Sequence, residues 1–329
     1  MKRLVFFFSS GLIIMLLSSG TVLAQGRKLL YYGSTSSSSS AHAYNVGAAK
    51  AINLANPDLT VTVIETGATI DNIKRLARNQ IDIGMGTTDA TYEAYHALGQ
   101  WKGNPQKDLR LLWVTIPYVQ NFVVRADSGV KTLQDLTGKS FSPGFRGSAT
   151  ENLVMQVLDL INIKPKYVRG GLQDAIEGIK DGRLVGYAKS GVGMDMLDSS
   201  SLDLATFTPI WLVGFNEKEL ASVNTSMPFI HILTIRAGIV KGMPEYKTIA
   251  FYNDQFGSKN LPMEVGYKVF KAVAEDKTEQ EATFPPMKGV NIVENTLKYA
   301  NTPLHIGVVK YLQEKGHKVP AHLIPPEKK

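Results

Sequence analysis

The sequence predicts an α/β protein of two domains with a ligand cleft between them, and three observations predict it. From Lys28 onward, three successive units of strand, polar loop and amphipathic helix follow one another. After a strand-rich crossing the same scheme recurs over residues 138–193. In both parts the loops after the strands are rich in Ser, Thr and Gly, where open parallel sheets gather their binding groups. A chain of 329 residues has the length for two such domains.

The first segment reads as a targeting signal. Met1-Lys2-Arg3 precedes an apolar run from Leu4 to Leu17, and Val22-Leu23-Ala24 supplies small-residue cleavage chemistry. The mature chain is therefore expected to begin at Gln25, after cleavage behind Ala24, in the periplasm. Ser9-Ser10-Gly11 interrupts a run already short for a bilayer, which argues against an uncleaved anchor. The chain has no cysteine, which excludes a lipoprotein anchor, disulfides, thiolate metal sites and cysteine nucleophiles. The formal charge of +7 falls to 7 − 2 = +5 once Lys2 and Arg3 leave with the signal. Acids and bases are interspersed and no basic stripe carries interleaved aromatics, so nucleic acid is not an expected partner.

Lys28–Tyr32 reads as a buried strand running into the hydroxyl-rich tract Gly33–Ser40. Alone, such a tract reads as a linker; between a strand and a helix it reads as a binding loop. The helix that follows has Tyr44, Ala48, Ala51, Ile52 and Ala55 on one face. Leu59–Ile64 alternates as a strand before Glu65-Thr66-Gly67-Ala68-Thr69 and a helix bearing Ile70, Ile73, Leu76 and Ala77. Ile81–Met85 is the third strand and ends in Thr87-Thr88-Asp89. Leu111–Thr115 and Phe122–Arg125 read as two strands, with Ile116–Asn121 as the crossing to the second domain. The strand-rich stretch Ile230–Ile239 is expected to lead back. Residues 25–120 and 240–329 form domain I on this reading, and 121–239 form domain II. Late helices are expected over Glu264–Glu275 and from Thr302 onward.

The stretch Ser142-Pro143-Gly144-Phe145-Arg146-Gly147-Ser148-Ala149-Thr150-Glu151 joins a strand to a helix whose inner face is Leu153, Val154, Val157, Leu158 and Ile161. Its glycines allow backbone N–H groups to converge, and Ser148-x-x-Glu151 has capping-box spacing. A helix N-terminus attracts anions, and Arg146 offers a fork for the same anion. The alternative is a tight turn with a solvated arginine.

These residues carry a resemblance. The serine loop before Tyr44-Asn45-Val46-Gly47, then Gly67-Ala68-Thr69-Ile70-Asp71-Asn72 and Asp127-Ser128-Gly129-Val130-Lys131-Thr132-Leu133, stand in family order. Gly147-Ser148-Ala149-Thr150, Asp174-Ala175 with Asp181-Gly182, and Leu304-His305-x-Gly307-x3-Tyr311 follow. The mature chain resembles the TAXI subfamily of solute-binding components of TRAP transporters. That resemblance implies a two-domain periplasmic binding protein type II fold and delivery of a small solute to TRAP membrane subunits that import it on an ion gradient. One departure is that Ser37–Ser40, Ala41, His42 and Ala43 stand where the family loop is glycine-rich.

The expected ligand is a small organic carboxylate: an amino or keto acid, a dicarboxylate or an aromatic acid. Arg146 and the N–H groups of Gly147, Ser148 and Ala149 are the candidate anion site, with Ser190 beside them. Ser38, Ser39, His42, Tyr44, Ala68, Thr69 and Thr87 are placed on the facing wall, and Gln120 and Asn121 at the hinge. Tyr44 reads equally as core, His42 as a capping residue, Asn72 as a tie for its own loop and His305 as structural. Glu65 is expected to pair with a base or to meet an ammonium group. No Gly-x-Ser-x-Gly, His-Glu-x-x-His, Walker or dinucleotide signature is present, and the six histidines are scattered. A monomeric binding protein without catalytic residues, metal or cofactor is expected, with a ligand sensor presenting its solute to a membrane receptor as the alternative.

Overall fold

The computed structural model describes residues 27–276 and 278–328, so the expected signal segment and its cleavage site lie outside the described residues. Three parallel strands, β1 (Lys28–Gly33), β2 (Leu59–Ile64) and β3 (Ile83–Thr87), are each followed by a helix: α1 (Ser40–Ala55), α2 (Thr69–Ala77) and α3 (Thr88–His96). The long strand β4 (Leu109–Arg125) leads into the second half. There β5 (Ser140–Ser142), α4 (Ala149–Leu160), β6 (Lys166–Tyr167), α5 (Leu172–Lys180) and β7 (Gly186–Ser190) repeat the scheme. Next come α6 (Ser199–Phe207), β8 (Ile210–Val213), α7 (Glu217–Ser226) and β9 (His231–Ile235). A second long strand, β10 (Tyr246–Ser258), returns to α8 (Met263–Glu275), α9 (Glu279–Thr283), α10 (Ile292–Tyr299) and α11 (Ile306–Glu314). No helix among the described residues is long and apolar enough to cross a membrane.

The strand order is β2-β1-β3-β10-β4-β7-β5-β6, with β8 added on β4 and β9 on β10. β4 belongs to both halves. Its residues 109–119 run antiparallel to β10, from Leu109↔Ser258 to Val119↔Ala250. From Gln120 its neighbours change to β7, at Gln120↔Ser190, and β8, at Phe122↔Val213.

One expectation is corrected here and another is completed. The sequence reads as two strands broken around Pro117, whereas the structure has one strand of 17 residues. Proline lacks an N–H and normally interrupts a ladder. Here Pro117 faces Tyr252 beside a register shift in β10 between Tyr252 and Asp254, where the ladder is already irregular, and its carbonyl accepts from the Gly193 N–H. The segment Ile230–Ile239 holds the short strand β9, which pairs with β10, and the long strand running back beside β4 is β10, which the sequence reading did not pick out. Its apolar run Ile249–Tyr252 is followed by the buried polar residues Asn253, Asp254 and Gln255, which break the pattern a strand normally shows.

Tyr44 is a core residue. Its hydroxyl accepts from the Trp113 indole at 2.6 Å and donates to Gln280 at 3.0 Å, and Trp113 packs edge-on against Tyr32. His305 is structural. Its Nδ1 accepts from the Gly307 N–H, which leaves Nε2 to donate to the Leu261 carbonyl at 2.9 Å. Gly266 in α8 has no side chain because a Cβ there would strike this ring.

Asn72 ties together more than its own loop. Fully buried in α2, its Nδ2 donates to the carbonyls of Gly33, Ser34 and Met85 at 3.1, 2.9 and 2.9 Å, and its Oδ1 accepts from Thr66. One amide thereby anchors the ends of β1 and β3 to the loop after β2. Asn72→Ala strands those carbonyls away from water, so a loss of about 2–4 kcal/mol is expected in urea unfolding. A loss under about 0.5 kcal/mol would show that the loops hold themselves.

Candidate functional site

The two halves meet in three places, at two pairs of loops and at one pair of helices. At the first, the carboxylate of Asp198, from the loop before α6, caps the N-terminus of α1 in the other half. Its Oδ2 accepts from the Ser40 N–H and the Ser39 hydroxyl, both at 3.0 Å, and pairs with the Lys189 ammonium at 3.2 Å. Lys189 also donates to Ser39 at 3.1 Å, and Ser199 bonds Ser40 and the Ser38 carbonyl. Burial pushes the Asp198 carboxyl up, but Lys189 and the donors of Ser200 and Ser40 outweigh it and hold it below the usual carboxylate range.

At the second, the backbone of the Arg146–Gly147 turn lies against Gly67. The N–H groups of Ile70 and Asp71, at the start of α2, donate to the Gly147 carbonyl at 3.0 and 3.2 Å. Gly147 has φ of +86° and a Cβ there would sit 3.1 Å from the Gly67 carbonyl, so conformation and space both require glycine. Ala68 has φ of 68° and ψ of −153°, a region that costs a non-glycine residue about 1–3 kcal/mol. Thr66 and Asn72 hold it there through its N–H and carbonyl.

At the third, Glu93 of α3 accepts from Asn152 at 3.1 Å and Gln156 at 3.4 Å, both on α4. Burial pushes the Glu93 carboxyl up to about 7, and the neighbouring Asp89 adds to the rise. Burial also pushes Asp89 up to about 6, and raises Asp254, whose Oδ2 accepts from Thr91.

Between these contacts lie polar atoms that the protein leaves without partners. Buried polar groups are nearly always hydrogen-bonded, so each exception marks a place where something else is bound or strain is stored. Among the described residues seven buried side-chain atoms lack a partner. Five of them, His42 Nδ1, Thr87 Oγ1, Asp89 Oδ1, Tyr118 OH and Gln120 Oε1, lie at helix starts after β1 and β3 or on β4 around its switch from one half to the other, Thr87 and Asp89 being near enough to each other for the hydroxyl to lower the Asp89 carboxyl.

The expected site residues divide. Ser39, Ala68, Thr69, Thr87, Gln120, Asn121, Ser148, Ala149 and Ser190 are buried at the strand ends or the crossing. Ser38 is exposed and serves the contact with Ser199 through its carbonyl. Asn121 accepts from Tyr246 at 2.6 Å within the crossing. Tyr44 is removed to the core. Arg146 is exposed, and it lines an outer depression of about 770 Å³ with Lys74, Arg169 and Tyr167 rather than the inner face of the turn. The reason is local: its N–H bonds the Gly170 carbonyl at 2.8 Å, and Phe145 takes the inward position. Glu65 is exposed and makes no ion pair among the described residues.

Ser148 caps α4 as its spacing predicts, accepting from the Glu151 N–H at 3.0 Å. The reciprocal arm differs: Glu151 accepts from Gly147, not Ser148, and pairs with Arg169 at 2.6 Å. Just inside, the hydroxyls of Thr150 and Ser190 bond at 2.9 Å. The sequence reading placed Lys189, Thr150 and Asp89 in loops lining the cleft without singling them out as site residues, put Tyr118 only in the crossing, and missed Asp198. Asp89 stood in the hydroxyl run after β3 and Lys189 beside Ser190; Asp198 and Tyr118 carried no signal of their own.

With this geometry in view, the chain matches the model of the NMT1-like family over residues 33–316, and it belongs to that family. It is similar in structure to the periplasmic binding protein BugD, with a TM-score of 0.54 and 12% identity over 82% of this chain and 89% of that one. It is also similar to MatC from Rhodopseudomonas palustris, solved with bound malate, with a TM-score of 0.55 and 10% identity over 88% and 96% of the two chains. At such identities the likeness is one of fold, the two-domain type II periplasmic binding protein fold. The family match and this fold together support a solute-binding protein.

The raised carboxyl of Glu93 gives the contact between the halves a pH dependence. Glu93 lies near Asp89 and accepts from the amides of Asn152 and Gln156, and it makes no ion pair among the described residues. It holds its proton more tightly folded than unfolded. Its contribution is therefore favourable below about pH 4.5 and is lost as pH rises through about 7. Glu93→Gln is expected to match the wild-type Tm at pH 5 and to exceed it by several degrees at pH 8. Equal melting curves at pH 8 would show that the carboxyl is not buried in solution.

Proposed function

We propose that this protein captures a small organic carboxylate between its halves outside the cytoplasm and delivers it to TRAP membrane subunits for ion-gradient-driven import. The observation that carries the reading is the set of unpartnered buried atoms at the strand ends and on β4, where the two halves share a strand. A solute bridging the halves supplies the missing partners and favours the closed arrangement by its preference for it. The carboxylate is assigned to the N-terminus of α4, where the N–H groups of Ala149 and Thr150 precede the one taken by Ser148 and the Thr150–Ser190 hydroxyl pair stands beside them. Thr87, Tyr118 and Gln120 are assigned to the rest of the solute. Malate in MatC, a dicarboxylate, supports carboxylates as a ligand class for this fold without fixing their number in this chain's solute, and the motif order of the TAXI subfamily supports the TRAP partnership. The signal segment and cleavage behind Ala24 place the mature protein in the periplasm on this reading, as a monomer.

Calorimetry of the mature chain against a carboxylate library tests the proposal. One-to-one binding is expected, with Thr150→Val/Ser190→Ala weakening it by about ten- to a hundredfold, the range for one hydrogen bond to a charged group, because the bond between the two hydroxyls uses one of their two protons. Arg146→Ala is expected to change the affinity less than about threefold, because an exposed charge is screened. Binding of uncharged solutes in place of carboxylates sinks the ligand class, and turnover of a bound compound sinks the binding role.

A further inference from the structure

One anion site between the halves is already filled, by the protein itself. The start of α1, a helix of 16 residues, offers the Ser40 N–H beside the Ser39 hydroxyl and the ammonium of Lys189. The Asp198 carboxylate takes all three through Oδ2, while Oδ1 accepts from the N–H and hydroxyl of Ser200. Asp198 is 2% exposed, so water has no share in this arrangement. Lys189 and Arg110 are the two buried basic residues among those described, and Arg110 is spent on Glu327 at the start of β4, away from the loops. Once Lys189 is paired with Asp198, no buried cation remains for a ligand. The buried carboxyl groups near the strand ends are Asp89, Glu93 and Asp254, together with Glu151 in the first turn of α4, which is engaged by Arg169 and the Gly147 N–H.

We infer that Asp198 is a specificity residue: it stands in for the second acidic group of a dianionic solute, so the site accepts solutes with one carboxylate and discriminates against those with two. The inference rests on the carboxylate reading above and narrows it. The first carboxylate has the N-terminus of α4. A second would enter a buried region where carboxyl groups are already driven toward their protonated form and no free Lys or Arg is buried among the described residues, and an uncompensated buried charge is among the costliest features a site can hold. It could reach Lys189 and the start of α1 only by displacing Asp198, which would leave that carboxylate buried without its partners. The serine tract then has a different task from the one its composition suggests. It receives an internal carboxylate and fastens the halves together.

The test measures matched pairs that differ by one carboxyl group, butyrate with succinate and benzoate with terephthalate, by calorimetry on the mature chain. Wild-type protein is expected to favour the monocarboxylate of a pair at least tenfold. Asp198→Asn keeps the shape and frees the charge of Lys189, and is expected to shrink that preference at least fivefold by gaining affinity for the dianion. Asp198→Asn/Lys189→Met removes both charges and is expected to restore the wild-type preference, which a merely structural role for Asp198 would not produce. If wild-type protein binds the dianion as tightly as its partner, the inference is overturned while the carboxylate reading stands. If no member of either pair binds, the carboxylate reading falls and takes the inference with it. Should Asp198→Asn not fold, the wild-type ratio decides alone.

Discussion

Strand β4 is the constraint on which the rest depends. Over residues 109–119 its ladder is made with β10, and from Gln120 onward with β7 and β8, so one backbone is structural in both halves. The partners change around Pro117–Asn121, beside the irregular stretch of β10, and on the proposed reading this is the pivot between the halves. That is where Tyr118 and Gln120 present unpartnered atoms. The residues that sense the solute on this reading are thus also the residues nearest the pivot. Elsewhere the strands are short, and each loop is held by local ties such as Asn72.

Electrostatics divides the region between the halves into unequal parts. On the α1 side a buried ion pair is fully engaged with serines and backbone; on the α3 side are carboxyls whose protonation burial favours; at the start of α4 the donors are neutral. Helix N-termini from both halves point toward one region, yet each is used differently. The α1 end takes Asp198, the α2 end takes the Gly147 carbonyl and the α3 end carries its own Asp89. Fixed dipoles alone therefore do not define a ligand. What decides is which of them the chain has already satisfied with its own groups.

Much of the fold was legible in the sequence because its signals are local. The period of Ile70, Ile73 and Leu76, the spacing of Ser148 and Glu151 and the alternation of Leu59–Ile64 each report an element by itself. β10 was not legible, because Asn253 and Gln255 sit in the middle of a buried strand within a polar network with Thr115 and Tyr32. Such a network makes sense only once those strands are neighbours. Tyr44 illustrates a similar limit: an aromatic on the apolar face of a helix beside a loop fits the core and the ligand wall equally, until Trp113 and Gln280 are brought to its hydroxyl.

The sequence by itself determined the repeated strand–loop–helix order, the hydroxyl-rich loops and the capped turn at Ser148, since each depends on residues within one helical turn or strand length. Only the tertiary structure decided where charge goes. Arg146 faces outward because Phe145 and the Gly170 carbonyl orient its turn, and Asp198 reaches Ser39 across 159 residues of sequence. Electrostatic pairing falls off with distance in space and is indifferent to separation along the chain, so it is settled only when the halves meet.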